Sequence, residues 1–503
     1  MMTSVAQAKQ TLQHFLPFSG PRQRLPRYAI FITASLFLQV TGCTGQDRRE
    51  DAINGNIPCM QYDEVNSAFS MQCDIIWTAI GNGLADDDYV TLEANEVFDG
   101  HDHHIDLDGI LNWHGAFKID EGANSLDNAP EIRNLHMRNG ETSSNGGFLI
   151  QEEQANFIVD SCSSTGIIQG GLGGGGGICG NRCSGDIRIK NCHSSGTING
   201  RNAGGIAGGS FGLNSDFAEI TNCYSTGDIT GLGAGGISGQ SVGFGGHVIV
   251  SFSHSTGEIS GSQSGGISGF RTGENAQEVV VKQCYSVGQI HGNHAGGITG
   301  SQTAHFHADV FVTDCYSRGE IRGTNGGGIC GSDVGTSGGS VTLTNTYATG
   351  EIVSPSGGGL IGLIHSAAKE INIIMSVYNA GQDGNDPMIG TNNAQDKTNK
   401  DKNSGDLGKI TGKLYCYSID NCWDDAIWQA TKEFPEIILP SETEIAGSSS
   451  SLGSVEMTVV VISVLLVASI LGVVLVRTLK KKKQVHPGTD TDDSNHSPKQ
   501  EEA

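Results

Sequence analysis

A glycine recurs through the middle of this chain at Gly166, Gly196, Gly227, Gly257, Gly288, Gly319, Gly350 and Gly381, with successive gaps of 30, 31, 30, 31, 31, 31 and 31 residues. Around it runs one phrase, cleanest over residues 218–239: Ala-Glu-Ile-Thr-Asn-Cys-Tyr-Ser-Thr-Gly-Asp-Ile-Thr-Gly-Leu-Gly-Ala-Gly-Gly-Ile-Ser-Gly. A fixed period of this length means stacked structural units, each burying a face against the next. Few folds satisfy that constraint, and the residues inside the period choose among them.

Ahead of Cys-Tyr-Ser, apolar residues stand two apart: Ile187 and Ile189, Val248 and Val250, Val279 and Val281, Val310 and Val312, Val341 and Leu343. That alternation describes a strand with one buried face. A second strand is expected at Ile198, Ile229, Ile259, Ile290, Ile321 and Ile352. A third is expected at the Gly-Gly-Ile columns ending in Ile206, Ile237, Ile267, Ile298, Ile329 and Leu360. Three short strands per period predict a triangular parallel β-helix, with coils about 4.8 Å apart and like residues stacked in ladders. Eight or nine such coils make a rod on the order of 40 Å long. The 74 glycines and the β-branched bias exclude a helical solenoid, and propeller blades usually need longer repeats.

Two resemblances follow from these residues. The stretch Phe98-Asp-Gly-His-Asp-His-His-Ile105, in short alternating segments broken by Asn and Gly, looks like the opening coils of pectin-lyase-like right-handed parallel β-helices. The phrase Asn-Cys-Tyr-Ser-Thr-Gly-Asp-Ile-Thr-Gly with Ala-Gly-Gly-Ile-Ser-Gly resembles the GLUG-type repeat of adhesin-like and other surface proteins, and covers residues 136–390, half the chain. It departs from the usual Gly-Gly-Leu-Val-Gly block, coming closest at Gly357-Gly-Gly-Leu-Ile-Gly362. This resemblance implies a β-helical stalk or binding surface and transfers no catalytic residue. The expected fold class is therefore all-β: a right-handed parallel β-helix solenoid of about 31-residue coils, plus one C-terminal transmembrane helix.

The membrane expectation comes from the ends. Residues 1–45 read as a signal peptide region: Arg22, Arg24 and Arg27, then an apolar run over 28–40, then small residues. Val40-Thr-Gly-Cys43 also resembles a lipobox, so either cleavage of the leader or lipidation of Cys43 is open. Residues 57–135 are expected to hold an N-terminal cap and opening coils, with Cys59 and Cys73 paired as a disulfide outside the cell. Residues 391–439 form a C-terminal loop and cap, with Cys416, Cys422, Trp423, Trp428 and Phe434 closing the open end of the stack. A stalk over 440–454 leads to a transmembrane helix over 455–476, whose residues 457–476 are uncharged and long enough to span. Arg477 and the lysines at 480–483 hold the tail, 477–503, in the cytoplasm. The protein is thus expected in the cell membrane, single-pass, with its N-terminal region outside.

A net charge of -24 argues against a nucleic-acid partner. The column Cys162, Cys192, Cys223, Ser253, Cys284, Cys315, Thr346, Val377 reads as a tight inward position of free thiols, while Cys179 and Cys183 are close enough in sequence to pair with each other. Asp99, His101, Asp102, His103, His104, Asp106 and Asp108 form the densest potential ligand set, although strand alternation sends them to different sides. Asp228, Glu258, Glu320 and Glu351 share a column that would repel itself without cations, which makes Ca²⁺ a possible cofactor. The column His193, Tyr224, His254, Tyr285, Tyr316, Tyr347, Tyr378 is the best candidate for contact with an extracellular glycan or protein ligand. No catalytic or cofactor-binding residue can be assigned, and whether a metal site exists is not decided by spacing. The reading favoured is a membrane-anchored surface adhesin or recognition protein. The alternatives are a polysaccharide-active β-helix enzyme (lyase, hydrolase or epimerase) and a structural coat component.

Overall fold

The computed structural model describes residues 46–77, 88–380 and 387–394, together with short stretches between 398 and 437. The leader, the stalk, the membrane segment and the tail inferred from the sequence lie outside the described residues. Among those described, no helix is long and apolar enough to cross a membrane.

The chain enters through a short helix, Arg49–Ile53, and an antiparallel hairpin pairing Met60–Asp63 with Ala68–Met71. A Cys59–Cys73 disulfide closes the base of the hairpin, with Cα atoms 5.4 Å apart. Arg49 forks onto Glu96 at 2.6 and 2.7 Å, and the Tyr62 hydroxyl donates to the same carboxylate at 3.1 Å. Glu96 is buried, so this charge-assisted fork is what makes its burial tolerable. It locks the entry helix to the first coil.

From Ala68–Met71 onward the pairing within the stack is parallel. One ladder runs through Val97–Asp106, Glu131–Glu141, Ala155–Asp160, Ser184–Lys190, Ala218–Thr221 and His247–Ser251. It continues through Glu278–Lys282, Asp309–Thr313, Ser340–Thr344, Glu370–Ile374 and Thr398–Lys400. Eleven steps between these strands, at about 4.8 Å each, give a stack roughly 50 Å long. The molecule is a parallel β-solenoid, and its ladders begin well before the recognisable repeat does. The alternating pairs of this ladder, from Ile187 and Ile189 to Val341 and Leu343, are buried, each contributing on the order of 2 kcal/mol of burial per side chain.

The coil differs from a triangle of three strands. A second ladder of two-residue strands carries His193–Ser194, Tyr224–Ser225, His254–Ser255, Tyr285–Ser286, Tyr316–Ser317 and Tyr347–Ala348. Apart from the short strands Thr197–Ile198 and Ile361–Ile364, the Ile198-to-Ile352 column and the Gly-Gly-Ile column hold together through single bridges. Glycine explains the second case: a Cβ on Gly236 would stand 2.1 Å from the Gly266 carbonyl oxygen and 2.5 Å from Ser255 Oγ. The coils can approach only because nothing is there.

The corner between the first two ladders is a column of left-handed residues with φ from +48 to +56°: Ser161, Asn191, Asn222, Phe252, Gln283, Asp314, Asn345 and Met375. Asn and Asp suit this conformation, and their side chains chain together. Asn191 donates to Asp160 at 2.8 Å, Asn222 to Asn191 at 2.8 Å, and Asn345 to Asp314 at 3.0 Å.

The cysteine column completes the corner. Cys192 Sγ donates to the Lys190 carbonyl at 3.1 Å and accepts from the Cys162 N–H at 3.4 Å. Ser253 and Ser376 make the same pair of bonds through oxygen, with Cys223 N–H and Thr346 N–H as donors. In the last repeat the sequence register is off by one. Val377 pairs with Tyr347 and Tyr378 with Ala348, so Ser376, not Val377, occupies the cysteine column. The column therefore selects a small donor-acceptor that satisfies corner backbone groups, not an apolar residue. Cys179 and Cys183 do not pair: both are free and buried, and the Cys183 thiol points to the Gly180 carbonyl at 3.5 Å.

Candidate functional site

The outward residues of the second ladder form an unbroken stack of rings. From His193 through Tyr224, His254, Tyr285, Tyr316 and Tyr347 the centroids lie 4.8, 5.2, 4.6, 4.9 and 4.9 Å apart, with planes within 10° of parallel. Each pair adds about 1 kcal/mol beyond its buried area. Ladder spacing enforces this geometry, because rings at one register position on adjacent parallel strands meet face to face. Tyr378 is excluded from the column: the one-residue shift turns it inward, against Gly359.

The stacking also corrects what the column can offer. Its rings spend their faces on one another, so solvent meets ring edges, with phenol hydroxyls and imidazole nitrogens, instead of flat π surfaces. Burial lowers the His193 imidazole and takes His254 down to about 4, and it raises the Tyr285 phenol. At neutral pH the row is an uncharged strip of polar edges.

Pairing extends the column toward the N-terminus through Ser163 to His136 and His104. Ser163 supplies no ring, and His136 leans into that vacancy: its Nδ1 is 2.7 Å from Ser163 Oγ, and its plane is tilted 39° from that of His104. The remaining members of the Asp/His cluster are divided among separate partners. Asp99 pairs with Arg133 at 2.8 Å, Asp106 with Arg138 at 2.9 Å, and Asp74 faces His103 at 3.3 Å. Burial opposes ionisation of Asp99, yet bonds from the His101 N–H, Asn134 and Arg133 bring it below the usual carboxylate range. Asp102 is exposed and sits 3.8 Å from His136, and His101 lies 3.7 Å from Asp99. Asp108 turns back through its own N–H to Asp106 at 2.9 Å. Among the described residues, no three of these groups converge in a metal-holding arrangement.

The acidic column lies one step further round the coil. Glu258 meets His291 at 2.9 Å, Glu320 meets Arg322 at 2.9 Å, and Asp228 accepts the Glu258 N–H at 3.0 Å. Glu351 is exposed. Arg322, a cation of the protein itself, thus relieves part of the repulsion. A separate surface groove of about 590 Å³ is lined by Lys118, Asp120, Glu121, Glu152, Glu153 and Asn156, among others, and burial raises the Glu152 carboxyl.

The C-terminal half of the ring column is covered, and the cover comes from a segment assigned above to the end of the stack. Trp428 lies across Tyr316 and Tyr347 with centroids 6.2 and 5.7 Å away, and its Nε1–H reaches Asp314 Oδ1 at 3.3 Å. Its strand, Trp428–Gln429, pairs antiparallel with Glu436–Ile437, and Glu436 closes an ion pair with Arg318 at 3.1 Å. Trp428 thus packs on the flank of the solenoid and does not cap its end; Thr398–Lys400 and Gly405–Asp406 carry the ladders onward instead. Trp423 and Phe434 lie outside the described residues. Nothing in the local sequence announces a contact spanning 114 residues. The corner column was likewise missed, although Asn191, Asn222 and Asn345 before Cys or Thr were a visible signal.

The architecture defines this chain as an all-β parallel solenoid. No protein-family model matches it, and no curated protein does either. A solved structure described as "a putative immunoglobulin A1 protease from Bacteroides ovatus" is similar at 24% identity, over 44% of this chain and 69% of that one, with a TM-score of 0.31. No conclusion about activity rests on that likeness.

Proposed function

We propose that this protein is a membrane-anchored surface recognition protein of the GLUG-repeat kind, in which the solenoid is a rigid rod presenting a ligand-binding flank. The observation that carries the reading is the ring column, a regular outward row that stays partly exposed from His193 to Tyr285 while its continuation, Tyr316 and Tyr347, is covered. A row of polar edges at fixed spacing on a stiff ladder suits repeated contact with an extended ligand. Residues 457–476 supply the anchor, and Arg477 with the lysines at 480–483 orients it, leaving the solenoid outside. Ca²⁺ at the acidic column belongs to the same reading as an optional ligand.

The full-length chain displayed on cells tests this. The tail should be stained by antibody only after permeabilisation, and a glycan and protein array should show binding without turnover. Release of new reducing ends from polysaccharides would favour the enzyme reading, for which the groove at Glu152 is the place to look, because a carboxyl raised by burial can act as a general acid. Neither binding nor turnover would leave a coat component.

A further inference from the structure

Trp428 shows how this flank receives a chain segment. The seat has two parts: the edges of two successive rings, and a corner side chain that accepts the ring N–H. Covering leaves Tyr316 4% and Tyr347 0% exposed.

The repeat builds the same seat again. Corner residue Asn222 stands to Tyr224 and His254 as Asp314 stands to Tyr316 and Tyr347, two residues ahead of the first ring and in the same left-handed conformation. Asn222 uses its amide N–H on Asn191 at 2.8 Å, which directs its carbonyl oxygen elsewhere as an acceptor. Beside it, the outward row of the first ladder turns apolar at Ile249 and Val280, and Phe252 at the corner is partly exposed as well. Where the Trp428 seat has Arg318 to hold Glu436, this stretch has Thr226 and Thr256 in the equivalent positions, so no acidic anchor is called for.

We propose that the open stretch from His193 to Tyr285 binds an extended segment of a partner protein presenting a tryptophan or tyrosine. That side chain is seated across Tyr224 and His254 with Asn222 accepting its N–H or O–H. The inference rests on the recognition role above and narrows the partner to protein. A sugar is the poorer match, because a pyranose packs its C–H groups on an aromatic face, and these faces are already taken. The surface is continuous with one that already holds such a segment, and the apolar flank offers a place for a second side chain two residues along an extended strand.

The probe is a synthetic peptide copying residues 427–437, compared with its Trp428→Ala counterpart, titrated by fluorescence anisotropy into the full-length protein in detergent. Saturable binding is expected, weakened at least tenfold by removing the peptide's tryptophan. The protein variant Tyr224→Ser/His254→Ser should weaken it as much; serine already occupies this column at Ser163. Thr226→Arg, which leaves the rings in place and puts at this rim the side chain that pairs with Glu436 in the Trp428 seat, guards against misfolding of that variant and should tighten binding. The proposal is overturned by absence of saturable binding, by binding that ignores all three changes, or by binding that appears only in a Trp428→Ala protein, where the peptide refills the native seat. Cell or array binding that survives in Tyr224→Ser/His254→Ser would remove this site while leaving the recognition role standing.

Discussion

Replacing His254 with tyrosine should make the protein more resistant to acid. His254 lies between the faces of Tyr224 and Tyr285, at 5.2 and 4.6 Å, and burial takes its pKa from 6.5 to about 4. Because the folded value is depressed, the unfolded chain binds more protons between those two values, and stability present above pH 6.5 is lost as pH falls toward 4. At pH 4.5 the linkage amounts to about 2.5 kcal/mol with no allowance for solvent. Partial solvent access and the attraction of an imidazolium for two tyrosine faces reduce that to roughly 1 kcal/mol. Tyrosine keeps the stack, since Tyr285, Tyr316 and Tyr347 already follow one another at 4.9 Å. The assay is urea unfolding at pH 7 and pH 4.5 for both proteins. Other buried imidazoles, such as His305 and His193, titrate in both, so the quantity of interest is the difference between the two acid losses. Equal losses would refute the reasoning.

Trp428→Ala should release its strand pair from the flank at a cost of about 3 kcal/mol to its docking, seen as lost hydrogen-exchange protection at residues 428–429 and 436–437 with the solenoid ladders still protected. Gly236→Ala should destabilise the repeat by about 3 kcal/mol or more, because the new Cβ meets backbone at 2.1 Å and cannot be relieved by a rotamer change; chemical denaturation measures it. Ser225→Ala should cost less than about 0.5 kcal/mol or stabilise slightly, since Ser225 Oγ is buried without a hydrogen-bond partner against the Gly205 backbone. A large loss in Ser225→Ala would mean that the Ser225 hydroxyl makes bonds the geometry does not show.

The period, the buried columns and the parallel stack were legible in the chain because each coil repeats the same local problem. An Ile or Val two residues from its neighbour, with a tight turn on either side, has one way to hide both. Reading failed where the repeat itself changes. The last coil from Thr346 to Ser376 is 30 residues, and only the ladder pairing shows that Tyr378 turns inward. The second and third strands were overread, since Gly-Gly pairs promise a close approach without promising a strand.

What the amino-acid order determined is thus the solenoid and its column chemistry, both consequences of near-neighbour packing at a constant spacing. What only the tertiary structure decided is what faces outward and what is taken. Rings in one column look like open stacking surfaces until their separation of about 5 Å shows each face filled by the next. Trp428 looks like an end cap until it is found lying on Tyr316 and Tyr347. Contacts between residues more than a hundred positions apart depend on where the chain travels after its repeats end, and no periodicity encodes that path.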